Sequence, residues 1–253
     1  MEGLEYIYEM CESLPRAGPG GNEHTRRAYE SIPDLPPNPL ILDIGCGPGV
    51  QTLELARLSN GTVTALDNHQ PFLDRVMVRA RQEGLEDRVS TINRSMMEME
   101  FEDESFDIVW AEGALYIMGF RSGLQRCRRL LKPGGCLAVT ELAYTTGNPP
   151  LVLTQYLEQE YPDAQSIGAN IALIRGEGFD LLTHFTLPPE AWMDDYYAPM
   201  ERVLSCLIEK YQGNKTALAV FDAFQGEIEI FRKYHQHFSY EFFVMQKPRV
   251  SPA

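Results

Sequence analysis

From about position 40 to 145 the chain alternates apolar runs with amphipathic stretches, the pattern of a parallel sheet flanked by helices. The runs PLILDI, TVTALD, VSTIN, FDIVWAEG and CLAVTEL predict strands. Between the first two, VQTLELARL places Val50, Leu53 and Leu58 near one helical face. After the second, Phe72, Leu73, Val76, Met77 and Ala80 repeat at helical spacing until Gly84 ends them. FRSGLQRCRRLL repeats the pattern with Phe120, Leu124, Cys127 and Leu131, and KPGG supplies a stop before the fifth strand. Each stripe reads as a face turned to the core.

The remainder departs from a plain alternation. SIGANIALIRGEGF presents Ile167, Ile171 and Ile174 on one side and leads into DLLTHFTL, a sixth strand. Two amphipathic segments, about 194 to 211 and 216 to 235, predict a helical hairpin joined at GNK. FSYEFFVMQK, apolar on both faces, predicts a buried seventh strand, antiparallel to its neighbours. The expected organisation is an N-terminal segment with a lid helix (1–36), a ligand-binding core (37–190), a helical insertion (191–236) and a last strand with its tail (237–253). PDLPPNP is the obvious linker.

Composition narrows the functions available. The chain is 253 residues long and 44% hydrophobic, enough for a sizeable core. Its formal net charge of -14 repels phosphate backbones and anionic lipid, which argues against nucleic acid and membrane partners. The acidic start MEGLEYIYEMCES lacks the basic and apolar parts of a secretory signal, and no run approaches a membrane span. Cys11, Cys46, Cys127, Cys136 and Cys206 form no CxxC pair and are odd in number, so reduced thiols and a cytoplasmic setting are expected. Oligomeric state is left open, with a homodimer as one possibility.

Candidate chemistry starts at LDIGCGPGVQ, where Gly45, Gly47 and Gly49 follow an apolar strand and precede a helix. Such a turn offers bare backbone N–H groups at the carboxyl end of a strand. Two ligands need that, a dinucleotide pyrophosphate and S-adenosylmethionine. The dinucleotide fingerprint GxGxxG would need glycine at position 50, which is Val50; the spacing here is GxGxG. Asp43 would repel a pyrophosphate and tolerate the ammonium of a methionine moiety, directly or through water. Asp67 ends the second strand, 18 residues after Gly49, where a carboxylate can accept from both hydroxyls of an adenosine ribose.

With these residues in place, the chain resembles the class I S-adenosylmethionine-dependent methyltransferases, of the type 11-like group. ILDIGCGPGVQT is similar to their first motif, ALDNHQPFL to their second and RLLKPGGCLAVTEL to the segment around their fifth strand. RAGPGGNEHT, WAEGALYIMGF and LPPEAWMDDYYAP further resemble small bacterial and archaeal members that act on small molecules. The resemblance implies a Rossmann-like, seven-stranded doubly wound α/β sheet, with a helical cap inserted between strands six and seven. It also implies S-adenosylmethionine as methyl donor, bound by Asp43, Gly45, Cys46, Gly47, Gly49, Asp67, Asn68, Glu112 and Gly113, with Arg16 and Gly18 from the N-terminal segment. Where the family often carries an Asp on the adenine amino group, NRSMMEMEF has Ser95 beside Met96; a hydroxyl accepts more weakly, and Met96 can cover the ring.

The fourth strand of this fold ends beside the reacting centre, so Glu112 and Tyr116 are the candidate catalytic residues. Glu112 can orient the acceptor or take its proton, or can instead hold the loop. Tyr116, Tyr144, Trp192 and Tyr197 are the expected acceptor pocket, with core packing the competing reading for Trp192 and Tyr197. Asn22 or Thr25 is expected to cap the helix after RAGPGG, a mobile segment able to close over the donor. His235 and His237 lack the companions of a metal site, so no metal is expected. The sequence reads as a methyltransferase with a small-molecule acceptor; the alternatives are another reaction on the same scaffold, or a regulatory protein that binds the donor or its product without turnover. AEGA after the fourth strand lacks the Asn/Asp-Pro-Pro-aromatic turn of DNA-base methyltransferases.

Overall fold

The computed structural model describes residues 3–249. Two helices, α1 (Leu4–Glu12) and α2 (Asn22–Glu30), precede the sheet. Then β1 (Leu40–Ile44), α3 (Val50–Leu58), β2 (Thr62–Asp67), α4 (Gln70–Gln82), β3 (Val89–Asn93), β4 (Phe106–Glu112), α5 (Phe120–Leu130) and β5 (Leu131–Tyr144) alternate as the apolar pattern dictates. After α6 (Leu151–Glu160), β6 (Gln165–Ser166), α7 (Ile167–Gly176) and β7 (Asp180–Thr186) come α8 (Pro189–Trp192), α9 (Ala198–Lys210) and α10 (Lys215–Tyr234). The chain closes its sheet with β8 (Phe238–Gln246).

The strand order is β3-β2-β1-β4-β5-β8-β7, with the two-residue β6 added to the end of β5. The order reverses between β1 and β4, which opens a crevice at their carboxyl ends. Strands β1 to β5 pair in parallel, and β8 lies antiparallel between β5 and β7. Eight of the nine β8 residues are buried, as a strand apolar on both faces and hydrogen-bonded along both edges should be. One face of the sheet packs against α3, α4 and the α9–α10 hairpin through Leu53, Val76, Leu204 and Phe221; the other packs against α5 and α7 through Leu124, Cys127 and Ile174.

Three expectations are corrected. Gln165–Ser166 adds an eighth strand too short for any period to reveal. β5 starts at Leu131 and includes KPGG, because Leu131 already pairs with Phe106 and the glycines are absorbed in a register shift between the two strands. Leu151–Glu160 forms a helix where no element was expected: of its apolar residues Leu153 and Leu157 are buried, while Leu151 and Val152 face outward and blur the stripe.

The β5–β8 register sets Glu141 directly opposite Glu241, and both are buried. Glu241 is satisfied by the Thr186 hydroxyl at 2.6 Å and by His184 at 2.5 Å, whereas Oε2 of Glu141 has no partner. Burial, followed by the charge of Asp163, pushes the Glu141 carboxyl up to about 8 from an ordinary 4.5. Asp43 is raised in the same sense, to about 7, by burial. An acid whose folded pKa lies above its unfolded value keeps a proton that the unfolded chain has lost, so stability falls as pH rises through that window. The protein should therefore melt higher at pH 6 than at pH 8, each such group contributing up to about 1.4 kcal/mol per pH unit. Glu141→Gln should flatten this dependence and stabilise the fold at pH 8. Scanning fluorimetry across the range checks it, and a melting temperature that climbs steadily from pH 6 to 8 would contradict it.

Candidate functional site

The site is assembled at the carboxyl ends of β1, β2 and β4. Gly45 and Gly49 have φ of +67° and +81°, the left-handed region that favours glycine. Space is as short as torsion: a Cβ at Gly45 would lie 2.6 Å from the Ala114 methyl, and one at Gly49 would lie 2.4 Å from Val76 Cγ2. The Gly45 and Cys46 amides both donate to the Leu66 carbonyl, at 2.8 and 3.1 Å, which fastens the loop to β2. Gly47 donates to Asp67 Oδ2 at 3.0 Å, and His69 donates to Oδ1 at 2.9 Å. Burial raises the Asp67 pKa while these two amides oppose the rise.

Asp43 lies behind the loop and is fully buried, so it does not face the crevice. Its oxygens accept from the Thr52 hydroxyl at 2.5 Å and from Gln51 at 3.5 Å, which pins α3 to β1. Cys46 is also buried, and burial holds its thiol well above the ordinary range, so it is protonated and inert. Ser95 caps a short turn, Met96–Glu98, by accepting from the Met97 amide, and the Met96 methyl would lie 3.2 Å from a Cβ at Gly45. Asn68 is exposed and accepts from the Tyr8 hydroxyl at 3.4 Å. Tyr8 stacks on His69 with ring centroids 3.9 Å apart, so α1 lies across the tip of β2.

Glu112, the last residue of β4, accepts from three side chains: Arg16 Nη2 at 2.9 Å, Thr25 Oγ1 at 2.6 Å and Trp110 Nε1 at 2.9 Å. The Glu112 and Arg16 side chains are 3% and 8% exposed, so this is a buried ion pair with both carboxylate oxygens engaged. Arg16 Nε also donates to the Gly18 carbonyl at 2.8 Å, which curls residues 16–20 into a turn over the site. Ala17 would touch a Cβ placed on Gly47, at 3.4 Å, and the Gly20 amide donates to the Ala191 carbonyl at 3.1 Å. Neither Asn22 nor Thr25 caps α2: the cap position is Gly21, and Thr25 serves Glu112 instead. Buried side-chain atoms of this segment without a hydrogen-bond partner include Arg16 Nη1 and Asn22 Oδ1, while His24 Nε2 lies 3.4 Å from Glu23 Oε1.

The expected acceptor residues divide. Gly113 donates to Thr140 Oγ1 at 2.7 Å, and a Cβ on it would lie 3.3 Å from the Tyr240 ring. Tyr116 sits in the turn Leu115–Met118, 41% exposed, its ring 5.6 Å from that of Tyr161. Tyr144 is half-buried at the end of β5. Trp192 and Tyr197 are core side chains: Trp192 stacks on Phe231 at 4.7 Å and donates to Ser239 Oγ at 3.0 Å, and Tyr197 donates to Glu227 Oε1 at 2.8 Å. Packing dominates because each ring's polar tip finds an internal partner. Thr25, Trp110 and Glu227 were not foreseen; Thr25 and Glu112 lie 87 positions apart, a distance no local pattern bridges.

A doubly wound sheet with a glycine turn after β1 and carboxylates at the ends of β2 and β4 has the form of the Rossmann-like methyltransferase fold. Residues 41–135 match the family model described as methyltransferase domain. The chain is 31% identical over 195 residues to sterol 24-C-methyltransferase ERG6B of Gibberella zeae, covering 74% of this chain and 50% of that one. It thus spans about half the length of the curated relatives it matches. A methyltransferase from Geobacter sulfurreducens, solved with S-adenosyl-L-homocysteine, superposes with a TM-score of 0.82 at 21% identity, over 96% of this chain and 98% of that one. The [4+2]-cyclase SpnF superposes at 0.73 and 23% identity, over 90% and 82%.

The Arg16–Glu112 pair yields a direct expectation. Glu112→Gln keeps the shape but leaves a buried guanidinium uncompensated, a loss of about 3–5 kcal/mol. Amides of residues 16–24 should then exchange at least tenfold faster, about 1.4 kcal/mol of lost protection, with Thr25→Val giving a smaller change. Hydrogen exchange read by mass spectrometry tests this, and unchanged rates would show that the segment is anchored elsewhere.

Proposed function

We propose that the chain binds S-adenosylmethionine at the carboxyl ends of β1, β2 and β4 and methylates a small molecule. The observation that carries this is Arg16 Nη1, a buried guanidinium nitrogen left without a partner beside Ala17, which lies against Gly47 of the glycine turn; Asn22 Oδ1 in the same segment is likewise unpartnered. Buried polar atoms without partners are costly, and two in one segment point to a polar ligand that completes them. Arg16 Nη1 suits the donor's carboxylate, Asp67 its ribose hydroxyls, and Ser95 with Met96 its adenine. Bound there, S-adenosylmethionine would supply an electrophilic sulfonium methyl, transferred as the acceptor's lone pair forms the new bond and the carbon–sulfur pair returns to sulfur.

The chain's own task is to position and to exclude water. With three donors on its carboxylate, Glu112 acts as a positioning residue that closes residues 16–24 rather than as a free base. Burial raises the Tyr116 hydroxyl above its ordinary pKa, so at neutral pH it keeps its proton and donates to the acceptor. Trp192 and Tyr197 shape the pocket from behind. A sterol methyltransferase among the relatives supports a small acceptor, and the charge of -14 speaks against nucleic acid. Among the described residues no helix is long and apolar enough to cross a membrane. The five cysteines are unpaired, which suits a reducing compartment and the cytoplasmic setting we propose.

Titration calorimetry should show S-adenosylhomocysteine binding and no comparable binding of NAD. Asp67→Ala should weaken it by about 1.5 to 3 kcal/mol through loss of charge-assisted hydrogen bonds. Residues 16–24 should gain exchange protection on binding. Tight NAD binding, or an unchanged affinity in the variant, would defeat the donor assignment. Release of S-adenosylhomocysteine from the donor with a pooled metabolite extract separates a methyltransferase from a binder without turnover, or from a scaffold put to other chemistry.

A further inference from the structure

Helices α1, α6 and α10 line a cleft of about 530 Å³. Ile7, Tyr156, Phe224 and Ile230 give it apolar and aromatic walls, and its charged residues are two carboxylates, Glu160 and Glu227. No Lys, Arg or His lines it. The Tyr197 hydroxyl fixes Glu227 Oε1 at 2.8 Å, and no other hydrogen bond or ion pair reaches this carboxylate among the described residues. Burial raises Glu227 to about 6 despite that bond, which leaves it ionised above neutrality.

The cleft and the donor site are linked through α1. Ile7 of that helix lines the cleft, while its Tyr8 donates to Asn68 and its Glu12 pairs with His69, both beside Asp67. Tyr197, which donates to Glu227, packs its ring 5.2 Å from Tyr196, and after burial the Glu227 charge raises the hydroxyls of Tyr196, Tyr161 and Tyr116. A half-buried carboxylate without a cationic partner is costly, and this one lines a cavity whose aromatic walls are Tyr156 and Phe224. Aromatic faces and a lone carboxylate together favour an organic cation. A metal ion is the poorer fit, since no group of three or more His, Cys, Asp or Glu able to hold one occurs among the described residues.

We propose that this cleft is the recognition subsite for the acceptor and that it takes an alkylammonium head group on the Glu227 carboxylate. The word acceptor rests on the methyltransferase reading; the preference for a cation rests on the cleft. The full chain is first titrated with S-adenosylhomocysteine, and the saturated protein is then titrated at about pH 7.5 with choline and, in parallel, with 3,3-dimethyl-1-butanol. The two probes share a shape, with carbon replacing the charged nitrogen in the second. Choline should bind at least tenfold more tightly than the neutral probe. Glu227→Gln should abolish that preference and keep S-adenosylhomocysteine affinity within about twofold. Equal binding of the two probes, or no binding of choline, overturns the proposal; because this comparison uses the unmodified protein, it holds even if the variant fails to fold. Loss of the first titration with the choline preference intact would sink the donor assignment alone.

Discussion

Three parts of the chain meet at one carboxylate. Glu112 ends β4, and its oxygens gather Arg16 from the N-terminal segment, Thr25 from α2 and Trp110 from its own strand. Withdrawing a carboxylate and a guanidinium from water costs several kcal/mol per ion, and only near-complete hydrogen bonding offsets it. That condition fixes the geometry: the pair is favourable only when Thr25 and Trp110 are in place, so the segment over the glycine turn closes in one arrangement. Gly20 shares in it, because a Cβ there would lie 2.8 Å from Arg16 Nη2. The Arg16 atom left without a partner, Nη1, is the remaining liability, and it falls where a ligand carboxylate would relieve it.

The three carboxylates at the ends of β1, β2 and β4 are held differently: Arg16 compensates Glu112, Asp43 is buried behind the glycine turn, and Asp67 is half-buried at the crevice. Asp43 is raised by burial and further by Glu112 and Asp67, so the three carboxylates at the ends of β1, β2 and β4 feel one another. A half-buried carboxylate such as Asp67 favours a positive centre nearby, which a sulfonium provides and a pyrophosphate does not. Glu227 extends the same sign of charge to the acceptor side. The chain's net charge of -14 is therefore not only a surface property; part of it is buried where chemistry is proposed.

What the sequence could reveal follows from the range of each interaction. Strands β1 to β4 and helices α3 to α5 are written in apolar periods shorter than twenty residues, and GxGxG with Asp67 is a local motif. Both were legible. Glu112 was legible as a residue but not in its setting, because Arg16 lies 96 positions away and Thr25 lies 87 positions away. Trp192 and Tyr197 illustrate the converse: an aromatic run suits either a pocket wall or a core, and only Ser239 and Glu227, brought in by β8 and α10, decide for the core. Asp43 was legible as a residue but not in its bonding, because strand alternation says which face a residue takes but not that Thr52, one turn into α3, would claim its carboxylate.

On the proposed reading, helix α1 stands between the donor crevice and the acceptor cleft. Its Tyr8 and Glu12 are tied to Asn68 and His69 beside the donor site, while Glu9 holds Lys210 and Tyr211 of the hairpin. The donor crevice is closed by a different set of links, Arg16 to Glu112 and Gly20 to Ala191, which lie on the chain between α1 and α2. Opening that turn to exchange the donor therefore breaks a buried ion pair but leaves α1 and the cleft it shares with α6 and α10 standing. On the proposed reading the acceptor can enter through the cleft while the donor stays sealed from water, so that each exchange of donor is slow, local and independent of the acceptor's arrival.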